Sequence, residues 1–193
     1  RRARDLWEYL TDSDIKSLVF NVPFTYPPKK INGLMVTDFT TPSTKAEFTY
    51  PVSVRHDILG RFKNYQVAPR GRYSRQPASQ RKFREECFKL ADLRHDVFDY
   101  LLEKEEYDFV MAVFNLPDTM QHWYWKYIDR EHHKYEENDE LRDTILDAYR
   151  KMDSFLGAYV AAHPEFNFLV ISDHGGGPFH KEVVLNNWLK DQG

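Results

Sequence analysis

Hydrophobic and polar positions switch between two periods along this chain, and the switching predicts helix and strand in alternation. Near the start DLWEYL has helical spacing, and the apolar run of SLVFNVPFTYPP follows as a buried strand stopped by its prolines. INGLMVTDF is a second apolar stretch, followed by a polar loop with Thr40, Thr41, Pro42 and Ser43 and a short segment ending at Gly60. QVAPRGRYSRQPASQ mixes Pro, Gly, Ser and Arg without a period and predicts a surface loop. From Phe83 onward Cys87, Leu90, Val97 and Leu101 recur at three, four and seven, the stripe of an amphipathic helix. The run Glu103 to Glu106 after it reads as solvated. YDFVMAVFNLPD is continuously apolar from Phe109 to Phe114, which suits a strand covered on both faces. TMQHWYWKYI predicts a helix over 119–128, and a longer one runs through Leu141, Ile145, Ala148, Met152, Phe155 and Tyr159 to end before Pro164. FNFLVISDHGGG then predicts another buried strand, Phe168 to Ile171.

Helix and strand in alternation predict an α/β fold, a three-layer αβα sandwich with helices on both faces of a mainly parallel sheet. In such sheets ligands collect outside the carboxyl ends of the strands. A length of 193 residues fits a single domain.

Composition narrows the function class. Charged residues are 30% and hydrophobic ones 41% of the chain, and no apolar run reaches the ~20 residues of a membrane-spanning helix. A formal charge of −3 gives no electrostatic footprint for a nucleic-acid polymer. The one cysteine, Cys87, rules out an intrachain disulfide, and its place on the helical stripe marks core packing rather than a nucleophile. With no secretory signal in RRARDLWEYL, the expected location is cytoplasmic.

Two groups of residues carry candidate chemistry. Asp118 and His122 are four apart, so a helix opened by Asp118 puts both on one face, where they can converge on one ion; an Asp at a helix start is also a common N-cap. Carboxylate plus imidazole suits zinc, and manganese less specifically. Asp173 and His174 end an apolar strand and lead into Gly175, Gly176 and Gly177, whose freedom would let the backbone turn both side chains toward one pocket; a plain turn is the other reading. Two acid and imidazole couples at strand tips suit two cations about 4 Å apart, clamping a phosphoryl group.

FNLPDTMQHWYW and ISDHGGGP, with VFNVPFTYPPKKINGLMV before and VVLNNWL after, resemble the type I phosphodiesterase and nucleotide pyrophosphatase branch of the alkaline phosphatase superfamily over nearly the whole chain. The resemblance implies that Asp118 and His122 bind one divalent ion and Asp173 and His174 the other. It also implies a Ser or Thr nucleophile that forms a covalent phospho-enzyme. In that family the nucleophile and one more Asp come earlier, and a further His much later, so the chain is expected to be an internal piece, incomplete at both ends and inactive alone. Thr37, Thr40 and Thr41 lie in the wrong strand order to replace the nucleophile. His180 is the one candidate stand-in for the distant His. The implied substrate is a small phosphoester, nucleotides included, with self-association through a sheet edge open.

Arg70, Arg72 and Arg75 suggest either a phosphate contact or a solvated basic loop. His132 and His133, beside Glu131 and Glu136, read as an exposed loop rather than a metal cluster. Among Trp123, Tyr124 and Trp125 some pack the core, and one could stack on a substrate ring. Phe24 to Pro28 would shape a pocket rim, and Asn186 and Asn187 would start a helix. The rival class is a non-catalytic binding or scaffold module that keeps the phosphodiesterase fold.

Overall fold

A computed structural model describes residues 3–69, 73–74, 76–181 and 184–192. They fall into two compact units, 1–116 and 117–193.

The first unit is built on a four-stranded sheet. Strand β1 (Ser17–Phe20) lies between β2 (Gly33–Val36) and β4 (Phe109–Ala112), parallel to both, and the short β3 (Thr49–Tyr50) adds antiparallel to β2. Helix α1 (Leu6–Asp12) precedes β1, α2 (Val52–Arg61) follows β3, and α3 (Pro77–Leu102) makes the crossover into β4.

The parity of β1 assigns the layers. Val19 points to one face and packs with Trp7 of α1, Met35 of β2 and half-buried Met111 of β4. Phe20 points to the other, where its ring lies 5.3 Å from Phe98 of α3 and 6.2 Å from Phe114. Helices therefore flank both faces, which accounts for an unbroken apolar run: Leu18, Val19 and Phe20 are all 0% exposed. Each such side chain contributes roughly 1.5–3 kcal/mol of burial.

Local chemistry fixes the edges of these elements. The Glu8 carboxylate accepts the Asp5 N–H at 2.8 Å, closing the first turn of α1, and Lys29 bridges Asp5 and Glu8 at 2.8 and 2.7 Å. Gly33 opens β2 at φ +124°, and a Cβ there would overlap the Ser17 backbone, so the close pairing of β1 and β2 requires glycine. Helix α3 starts at Pro77, inside the stretch read as loop, with proline in its first turn, where a missing N–H costs nothing. Cys87 is buried as the stripe predicts. Strand β4 forms at the predicted place but is half-buried along its length, as an edge strand, rather than covered on both faces.

The second unit holds α4 (Leu116–Tyr124, whose first residue closes the first unit), a 3-10 turn Trp125–Tyr127, α5 (Thr144–Ala162) and α6 (Leu185–Gln192). Its buried positions include Met120, Tyr124, Tyr127, Leu141, Ile145 and Ala148. Asn186 and Asn187 fall in the first turn of α6, as expected.

One sequence expectation fails here. Phe168 to Ile171 form neither a strand nor a buried segment: Leu169 is 84% exposed, and Val170 and Ile171 are 70% exposed. A strand is defined by its hydrogen-bonded neighbour, and this run has no ladder partner among the described residues. Apolar pattern alone supplies the tendency without the partner. No described helix is long and apolar enough to cross a membrane.

Candidate metal centre

Helix α4 begins just past the end of β4 and carries Asp118 in its first turn and His122 in its last. The i,i+4 spacing brings Asp118 Oδ1 to 3.3 Å from His122 Nε2. The side chains stay 44% and 69% exposed, open to an incoming cation.

The Ser172–Gly177 segment comes to the same helix. Gly176 sits so close to α4 that a Cβ there would overlap Gln121 Oε1 and lie 3.2 Å from Trp125 Cζ3. Gln121 is itself held, its amide donating to Tyr149 Oη of α5 at 2.6 Å. Of the three glycines Gly176 alone makes this approach, and a side chain there would have to displace the end of Gln121. Ser172 donates to the His174 carbonyl at 2.5 Å, tightening the turn.

That approach places the His174 ring between two carboxylates. Its Nε2 is 3.8 Å from Asp118 Oδ1 and 3.7 Å from Asp173 Oδ1. Its Nδ1 lies 3.0 Å from the Gly175 carbonyl, which can only accept, so Nδ1–H is the donor. The Gly175 carbonyl first, and Asp173 and Asp118 after it, raise the imidazole above its ordinary 6.5.

The donor set suits zinc, which takes imidazole nitrogen and carboxylate oxygen together. Among the described residues no group of three or more His, Cys, Asp or Glu side chains stands so that it could hold a metal ion. His180 makes no ion pair with Asp118 or Asp173 among the described residues; its charge acts instead on His133.

The other singled-out residues resolve as follows. Thr37 and Thr41 are buried, their hydroxyls 2.7 Å apart with Thr37 donating to the Phe48 carbonyl at 3.1 Å, and Thr40 donates to Asp38 at 2.6 Å. His132 is 8% exposed, against the reading of an open loop, because its ring stacks on His133 at 4.6 Å and its Nδ1 accepts the Lys134 N–H. Burial, with His132 next, lowers the His133 imidazole. Tyr124 is fully buried, Trp123 is 45% exposed, and the Trp125 indole donates to Asp129 at 3.2 Å. Arg70, Arg72 and Arg75 lie outside the described residues.

Gln121 and Arg94 are singled out by no motif of the sequence. Gln121 seats Gly176 beside the candidate ligands, and its only signal was a polar residue next to His122. Arg94 left a clearer one: it falls on the apolar stripe of α3, between Leu90 and Val97, and is 7% exposed.

A family model described as type I phosphodiesterase / nucleotide pyrophosphatase matches residues 2–193. No curated protein and no solved structure matches the chain. The matched span takes in the four-stranded α/β sheet and the acid and imidazole couples together, and this chain belongs to the type I phosphodiesterase/nucleotide pyrophosphatase family.

Proposed function

We propose that this chain supplies part of the reaction centre of a metal-dependent phosphoester hydrolase acting on a phosphodiester or nucleotide pyrophosphate. The single observation that carries the reading is the His174 imidazole, whose Nε2 faces the carboxylates of both Asp118 and Asp173. In this reading Asp118 and His122 hold one divalent ion, and Asp173 and His174 hold a second, zinc before manganese. When bound, such ions polarise a phosphoryl oxygen and stabilise the charge that develops in the transition state. The chain's own part is to aim the donors: α4 fixes Asp118 and His122 one turn apart, and the Gly175 carbonyl holds the His174 tautomer. His180 is the weaker ligand candidate.

The hydroxyl nucleophile is proposed to come from outside these residues, since Thr37, Thr40 and Thr41 are tied up in internal hydrogen bonds. A single family match across 2–193 supports treating both units as parts of one catalytic domain.

Hydrolysis of bis(p-nitrophenyl) phosphate by the protein that contains this chain tests the reading. Zinc or manganese should restore activity after chelation, and Asp118→Ala or Asp173→Ala should lower kcat/KM at least ~100-fold, several kcal/mol of transition-state stabilisation. Nucleotide binding without turnover at any metal concentration would replace it with the binding-module reading.

A further inference from the structure

Arg94 is a charged residue at an apolar position of a helix. Cys87, Leu90, Arg94, Val97 and Leu101 follow one another at three and four along α3, and all five are buried. Taking a guanidinium out of water costs several kcal/mol unless acceptors replace the solvent. Those acceptors are neutral. Nη1 donates to Asn115 Oδ1 at 2.5 Å and Nη2 to the Val67 carbonyl at 2.8 Å. No carboxylate among the described residues lies within ion-pair distance of it; Asp38 acts on it only through its field.

The two bonds are directional. Phe98, one turn further along α3, lies over Phe20 at the end of β1, so Arg94 stands at the carboxyl end of the sheet. From there the planar fork spans two separate pieces of chain: the loop that leads toward α3, at Val67, and the link from β4 to α4, at its last residue Asn115. Asn115 immediately precedes Leu116, the first residue of α4, and α4 carries Asp118 and His122. A lysine keeps the charge but has no fork with which to hold both acceptors in one plane. An apolar residue would satisfy the stripe at lower cost.

We propose that Arg94 is a positioning residue: by clamping Asn115 it fixes the start of α4 and so the presentation of Asp118 and His122 to a divalent cation. The cation part rests on the function proposed above; the clamp itself does not.

Two readouts on the whole chain keep these apart. Hydrogen exchange without metal follows the amides of Met120, Gln121 and His122, which donate to the first-turn carbonyls of α4. Arg94→Lys should lower their protection at least tenfold, whereas Asn115→Asp, which keeps an acceptor for the fork, should hold it near wild type. Zinc affinity by calorimetry, well below the melting temperature, should fall at least tenfold in Arg94→Lys and stay within threefold in Asn115→Asp. Wild-type protection of those amides in Arg94→Lys would overturn the clamp. A less stable Arg94→Lys that binds zinc with unchanged affinity would overturn the positioning role and leave a merely structural arginine. Absence of zinc binding by the wild-type chain would count against the metal centre, with exchange still deciding the clamp.

Discussion

At the scale of single residues, burial decides which reactive groups are available. Cys87 sits on the covered face of α3 at 4% exposure, and desolvation pushes its thiol up to about 12. The native protein should therefore resist a thiol-specific disulfide reagent at pH 8. Its modification rate should follow the denaturant-unfolded fraction, and rapid labelling without denaturant would show the helix stripe to be misassigned. That placement was legible from periodicity alone, since the stripe through Leu90, Val97 and Leu101 already puts Cys87 inside. The same stripe contains Arg94, which pattern reading passes over because it counts apolar positions. Its partners, Asn115 and Val67, are 21 and 27 residues away and follow only from the fold. The aspartate and histidine couples were legible as residue types at ligand spacing. The approach of Asp118 and Asp173 to one imidazole was not, because it depends on the Ser172–Gly177 segment returning to α4.

At the scale of elements, local pattern works where the element carries its own stabilisation. Helices α1, α3 and α5 and strands β1, β2 and β4 form at the predicted places, although α3 begins earlier, at Pro77, and α5 later, at Thr144, leaving Leu141 outside it. The run Phe168 to Ile171 is as apolar as β1, yet stays exposed and outside any described sheet, because a strand needs a neighbouring edge and no local signal supplies one. Contacts between strands also impose demands that propensity does not reveal. Gly33 is required by the approach of Ser17, at a φ that a side chain rarely adopts. Gly33→Ala should destabilise the protein by roughly 3 kcal/mol in chemical denaturation, the scale of backbone strain joined to a steric clash. A change below about 0.5 kcal/mol would mean that β1 and β2 do not pair in this register.

At the scale of the whole chain, two kinds of information agree. The sheet parity of the first unit places helices on both faces of a mainly parallel sheet, the architecture that the alternating pattern predicts. The match to type I phosphodiesterases and nucleotide pyrophosphatases covers the same residues end to end. Fold and family together set the reaction class, while substrate choice depends on contacts that a shared fold does not dictate. The proposed chemical identity of this chain rests on four donors of the second unit, Asp118 and His122 one turn apart on α4, and Asp173 and His174, whose imidazole faces Asp118.

The most direct test of that identity is anomalous scattering from crystals grown with zinc. The account predicts two zinc peaks about 4 Å apart. One should lie about 2 Å from Asp118 and His122 Nε2 and the other about 2 Å from Asp173 and His174 Nε2. Zinc bound elsewhere, or held by the two couples at positions too far apart to share one phosphate, would contradict it.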